Sequence, residues 1–169
     1  EVIFEEGIHL DGGKLEIFSS ILKVGVQFNK TAGTALLNGT TLGLLSDLSI
    51  TSDSLLSIGS LELNESSLTL ESDDTDLAIE QLLLLDDPNQ KLISGTADVD
   101  LKKGVDISAG EISSASGTFS INGSSIFSGG MISLASGTFA LGGDFTKNGG
   151  TLFLEDITFA LLSDLQWTC

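Results

Sequence analysis

Residues 110–169 repeat with a period of 20, and this restricts the fold more than any other property of the chain. Residues 110–129 read GEISSASGTFSINGSSIFSG, residues 130–149 GMISLASGTFALGGDFTKNG and residues 150–169 GTLFLEDITFALLSDLQWTC. Gly110, Gly130 and Gly150 align, as do Thr118, Thr138 and Thr158, then Phe119, Phe139 and Phe159, and two residues later Ile121, Leu141 and Leu161. The first two copies share ASGTF outright. A 20-residue unit is too small to bury its own apolar side. Stacked on its neighbours, it contributes to one continuous core.

The units are built for strands. Short runs of Leu, Ile, Val and Phe are separated by Ser, Thr, Gly and Asn, with one Pro and no Tyr. This is the pattern of many short strands joined by polar turns. Between residues 61 and 71, Leu61, Leu63, Leu68 and Leu70 point one way, with Glu62, Thr69 and Glu71 opposite, the period-two signature of a half-buried strand. Weaker echoes of the repeat lie upstream: GTALLNG (33–39) resembles GTFSING (117–123) and GTFALGG (137–143), and LLSDL occurs at 44–48 and 161–165. The expected fold is all-β: a β-solenoid like a parallel β-helix, or a related stacked-β form, with coils of about 20 residues and an internal stack of Phe119, Phe139 and Phe159. A sandwich or barrel is the competing architecture.

One elongated domain, 1–169, is expected. Residues 71–93 interrupt it with an acidic cluster, four consecutive leucines (Leu82–Leu85) and Pro88. Asp76 could cap a short helix over 77–85, or 81–85 could be a strand buried on both faces; periodicity does not choose. Either way the segment reads as an insertion or a boundary between two stacks, and DDPNQ (86–90) reads as a turn.

The charge excludes some functions. Asp and Glu total 24 against seven lysines and no arginine, a net charge of −17. Phosphate backbones and anionic membranes repel such a chain, so nucleic acid is not an expected partner. No apolar run approaches a membrane span. Nucleotide-binding glycine motifs are absent from the sequence. The single histidine, His9, and single cysteine, Cys169, cannot supply a zinc site or a nucleophilic triad. Asp98, Asp100 and Asp106 are the nearest thing to a hydrolase carboxylate set, and read better as a solvated face balanced by Lys102 and Lys103. No catalytic or cofactor-binding residue is assigned. Asp73, Asp74 and Asp76 are weak candidates for calcium, as hard oxygen donors at a turn. Asn29, Asn38, Asn64 and Asn122 each head a glycosylation sequon.

The units containing Gly33–Gly39, Gly117–Gly123 and Gly137–Gly143 resemble the passenger regions of bacterial autotransporters and filamentous-haemagglutinin-like exoproteins. That resemblance is one of composition, and it implies a secreted parallel β-helix serving adhesion or surface structure. Acidity and sequons are shared with archaeal surface-layer and sheath proteins. The start at Glu1 is expected to reflect processing of something longer. Phe159, Leu161, Leu165 and Trp167 make the last unit apolar, so an extracellular homo-oligomer or polymer is expected, joined end to end or through β edges, with Cys169 available for an intermolecular disulfide.

Overall fold

The computed structural model describes the chain apart from residues 19, 72–74, 164–165 and 169, and describes residues 167–168 by backbone alone. The strands are β1 (Val2–Phe4), β2 (Ile8–Glu16), β3 (Ile21–Ser52), β4 (Leu56–Glu62), β5 (Ser67–Leu70), β6 (Leu77–Ile79), β7 (Leu83–Leu85), β8 (Lys91–Ile93), β9 (Val99–Leu101) and β10 (Val105–Ile107). They continue as β11 (Glu111–Ser114), β12 (Thr118–Ile121), β13 (Ser125–Phe127), β14 (Met131–Leu134), β15 (Gly137–Leu141), β16 (Phe145–Lys147), β17 (Thr151–Leu154), β18 (Ile157–Leu161) and β19 (Trp167–Thr168).

Every recorded pairing is parallel and joins one coil to the next. The molecule is a β-solenoid of about eight turns. At the usual strand separation of roughly 4.8 Å, that makes a body about 40 Å long. A regular coil has three short strands and hence three faces: β11, β12 and β13 form one coil and β14, β15 and β16 the next. Two faces belong to a 14-stranded sheet, which β3 and the end of β4 carry onto the third face in the lower coils; from β7 upward the third face is a five-stranded sheet running β7-β10-β13-β16-β19.

The 20-residue spacing extends well beyond the segment in which sequence identity reveals it. Val2 pairs with Leu22, Ile8 with Phe28, Leu48 with Leu68, and Lys91 with Glu111, each 20 positions on. Residues 91–109 therefore keep the period although their side chains hide it: Val99 lies below Phe119 and Leu101 below Ile121. The GTALLNG echo is structural, because Leu37 begins the ladder that climbs through Ile58, Ile79, Leu101, Ile121 and Leu141 to Leu161. The LLSDL echo is not. Leu161 belongs to that ladder and Leu44 does not; the same short string serves different parts of the coil.

Segment 71–93 resolves into β6, β7 and β8, strands and not a helix. Its coil is longer: Ser67 pairs with Lys91, 24 positions on. The extra residues fall in two corners. Leu68 to Leu77 and Leu83 to Leu92 each span nine positions, where the equivalent corners Ile112 to Phe119 and Val105 to Ile112 span seven. The 14-stranded sheet passes through this coil unbroken, whereas the five-stranded sheet begins at β7.

Inward residues form continuous columns. Phe119, Phe139 and Phe159 stack in register with centroids 6.5 and 5.6 Å apart, and Phe145 meets Phe139 edge-on at 6.4 Å. Aromatic pairs at such separations add to the apolar burial. Among the described residues one buried position carries a charge: Lys30, 5% exposed, follows Leu10 in its column. Its ammonium is held by Asp53 and donates to Ser54 Oγ at 3.0 Å.

Corners require glycine where the backbone turns left-handed against the coil below. Gly137 has φ +98°, and a Cβ there would lie 2.1 Å from Gly117 O; Gly39, at φ +80°, faces open space. Gly39→Ala is therefore expected to cost only the left-handed penalty, about 1–2 kcal/mol, and Gly137→Ala distinctly more. Phe139→Ala, at a fully buried position, should cost about 3–5 kcal/mol. Chemical denaturation of the three variants checks the order; equal losses at the two glycines would refute the corner-packing account.

Candidate functional site

The coil that ends the described structure leaves uncovered the side chains that every lower coil buries. β17 and β18 are the two ends of the 14-stranded sheet. Phe159 is 49% exposed and Leu161 64%, whereas Phe139 and Leu141, directly below them, are buried. Leu162, next along the chain, is exposed as well, and Phe153 is exposed on the outer side of β17. The backbone continues in register, with Phe145 paired to Trp167 in β19. Of the residues expected to mediate assembly, Phe159 and Leu161 thus lie together on one open end. Leu165 and Cys169 lie outside the described residues, as does the Trp167 side chain. At the opposite end Val2, Ile3, Phe4 and Phe18 are also exposed.

Each strand edge here can accept another parallel strand, because backbone groups that pair upward in every lower coil have no further coil in the described structure. Apolar side chains beside those edges reward burial at roughly 25 cal/mol per Å². The end thus combines hydrogen-bonding direction with a hydrophobic surface.

The carboxylates serve the stack. Asp98 Oδ1 accepts from the Thr118 N–H one coil on, and the Asp98 N–H donates to Asp76 Oδ1 at 3.1 Å. Asp100 is engaged by Lys102 and by the Asn122 amide. Asp76, Asp98 and Asp100 share a shallow groove of about 240 Å³ with Leu55, Thr118 and Ser120. Asp106 lies in the other sheet, between Leu84 and Ile126, so the three aspartates considered for hydrolysis do not converge. Among the described residues no group of three or more His, Cys, Asp or Glu is arranged to hold a metal ion. Asp73 and Asp74 lie outside them, and Asp76 is committed to the backbone of the next coil.

The same device recurs at Asp47, whose Oδ1 accepts from both the N–H and the hydroxyl of Ser67, each at 2.8 Å, and at Asp144, which accepts from the Gln166 N–H at 3.3 Å. Sequence reasoning missed these inter-coil staples. Their signal was an Asp at a corner about 20 positions before a strand start.

The sequon asparagines differ. Asn38 is exposed. Asn64 donates to Leu44 O at 3.2 Å, Asn122 is held by Asp100, and the Asn29 side-chain oxygen is buried without a hydrogen-bond partner. His9 lies beside Asn29 in the β2–β3 ladder. Among the described residues no helix is long and apolar enough to cross a membrane.

Two hydrogen bonds from Ser67 hold the Asp47 carboxyl below its ordinary value, and the Lys30 ammonium does the same to Asp53. A depressed carboxyl pKa contributes stability that is present above the unfolded value, near 3.8, and is lost as pH falls through the folded one. Melting curves of native protein and Asp47→Asn from neutral pH downward should therefore show a native advantage at neutral pH that shrinks below about pH 4. A difference constant with pH would remove the charge from the account of this staple.

No protein-family model, curated protein or solved structure matches the chain.

Proposed function

We propose that the chain is a structural element of an extracellular surface assembly such as a filament, sheath, surface layer or adhesin stalk, and that it associates through its open β edges. The observation that carries this reading is the last described coil. Its strands keep the register of the coils below, and its inward column presents Phe159 and Leu161 to solvent. That surface fits one more parallel coil, and the proposal is that a second copy of the chain supplies it wherever the polypeptide itself does not.

The rest of the molecule suits the role. A ladder that repeats every coil makes a stiff rod whose length scales with coil number. A net charge of −17 keeps such rods apart sideways, leaving the apolar ends as the favoured contacts. Placement outside the cell is part of the proposal, supported by the acidity and by Asn38, an exposed residue of β3 within a sequon.

Light scattering across a dilution series, with electron microscopy of the same samples, tests the reading. Concentration-dependent growth into end-joined rods is expected. The double variant Phe159→Lys and Leu161→Glu should abolish growth while leaving the circular dichroism spectrum intact, because both positions are already exposed. A native protein that stays monomeric throughout would overturn self-association.

A further inference from the structure

The backbone ladder of the third face is interrupted in the middle of the solenoid. On the third face, β7 is the terminal strand of the five-stranded sheet. The residues below it, at the end of β4, pair downward instead: Leu61 with Leu42 and Glu62 with Gly43. Among the described residues no ladder joins β4 to β7, although the two strands are in contact. The interruption has a local cause. The corner leaving β4 carries two consecutive left-handed residues, Asn64 (φ 49°) and Glu65 (φ 65°). The corner leaving β7 is the lengthened DDPNQ turn, held by Gln90 Oε1 accepting from the N–H groups of Asp86 and Asp87 at 2.8 and 3.1 Å. Two corners of different shape, one above the other, do not bring the intervening strands into register.

A cleft of about 290 Å³ opens at this break, lined among others by Glu62, Asn64, Leu82, Leu84, Asp86 and Gln90. Leu83 and Leu85 point into the core, so Leu82 and Leu84 point out, 42% and 54% exposed. Two exposed leucines two positions apart on the outer face of a strand give alternate side chains of an extended segment a surface to pack on. The charge at the site has one sign. Glu62 and Asp86 are exposed, and no lysine is among the lining residues. Lys23, whose field reaches Glu62, is held by Glu1 at 2.8 Å, and Lys91 by Glu111 at 3.1 Å.

We infer that this cleft is a docking site for a short extended segment of a basic partner protein, in which aliphatic and Lys or Arg side chains alternate. The aliphatic side chains cover Leu82 and Leu84, the basic ones pair with Glu62 and Asp86, and the segment's backbone lies across the mouth of the cleft, since the end of β4 packs beneath β7. Charge complementarity selects this occupant over a second copy, since the chain's own surplus is acidic. The site is distinct from the open end and does not depend on assembly.

The test uses the full chain and a labelled peptide of alternating Leu and Lys, followed by fluorescence anisotropy. The controls are an alternating Leu–Glu peptide and a Leu/Lys peptide of the same composition with the two residue types in separate blocks. The alternating basic peptide is expected to bind, to weaken with added salt, and to slow amide exchange at residues 82–86. Leu84→Ser should lower its affinity about tenfold, and Glu62→Gln with Asp86→Asn should lower it further. Ile126→Ser, on the same face two coils above, should leave it unchanged; all the substituted positions are exposed, so folding is preserved. The inference is overturned if the blocked or acidic peptide binds equally well, if Leu84→Ser binds like the native chain, or if no peptide binds.

Discussion

The parallel backbone ladder between successive coils is the interaction on which the rest of the molecule depends. Each strand must find its hydrogen-bond partners about 20 residues away, so the perimeter of the coil is held nearly constant and every inward position becomes part of a column. Columns then demand compatible residues. Leu56, Leu77 and Val99 give way to Phe119, Phe139 and Phe159 along one of them, a change in size that takes place between neighbours without breaking register. Small length differences are taken up as register shifts within the β2–β3 and β3–β4 ladders, and the larger one falls to the corners, where the coil containing residues 71–90 takes up its additional residues.

Polar side chains repeat the ladder's logic outside it. Asp47, Asp76, Asp98 and Asp144 each accept a backbone N–H from the coil above. Inside the corners, Thr40 Oγ1 donates to Ile17 O at 2.7 Å, and the Thr75 hydroxyl both accepts from Ser52 N–H and donates to Ser52 O. Backbone groups that a turn takes out of the ladder are thereby paired, as buried polar groups must be. Part of the chain's acidity is therefore structural.

The fold was legible where neighbouring coils use the same residues, as in the two copies of ASGTF. It was illegible where a ladder joins unlike ones, since a backbone hydrogen bond is indifferent to whether Val99 or Phe119 supplies it. The lengthened coil hid the period because the eye follows spacing in sequence, while the ladder follows spacing in space. Of the open end, Phe159 and Leu161 could be read from the apolar run near the C-terminus. The cleft at β7 could not: an unpaired edge is a relation between two strands, and neither LLLL nor DDPNQ carries it alone.

Lys30 and its partners have a consequence for how such a chain reaches one structure. Nearly identical coils invite a slip by one whole repeat, which keeps the inward pattern intact and is therefore hard for hydrophobicity to reject. Lys30 fits at one height only, where Asp53 and Ser54 meet its ammonium. A slipped chain would carry the buried lysine away from its counter-ion, a loss that matching apolar positions does not repair. The buried lysine thus acts as an index mark, telling the folding chain which turn of the coil it is on.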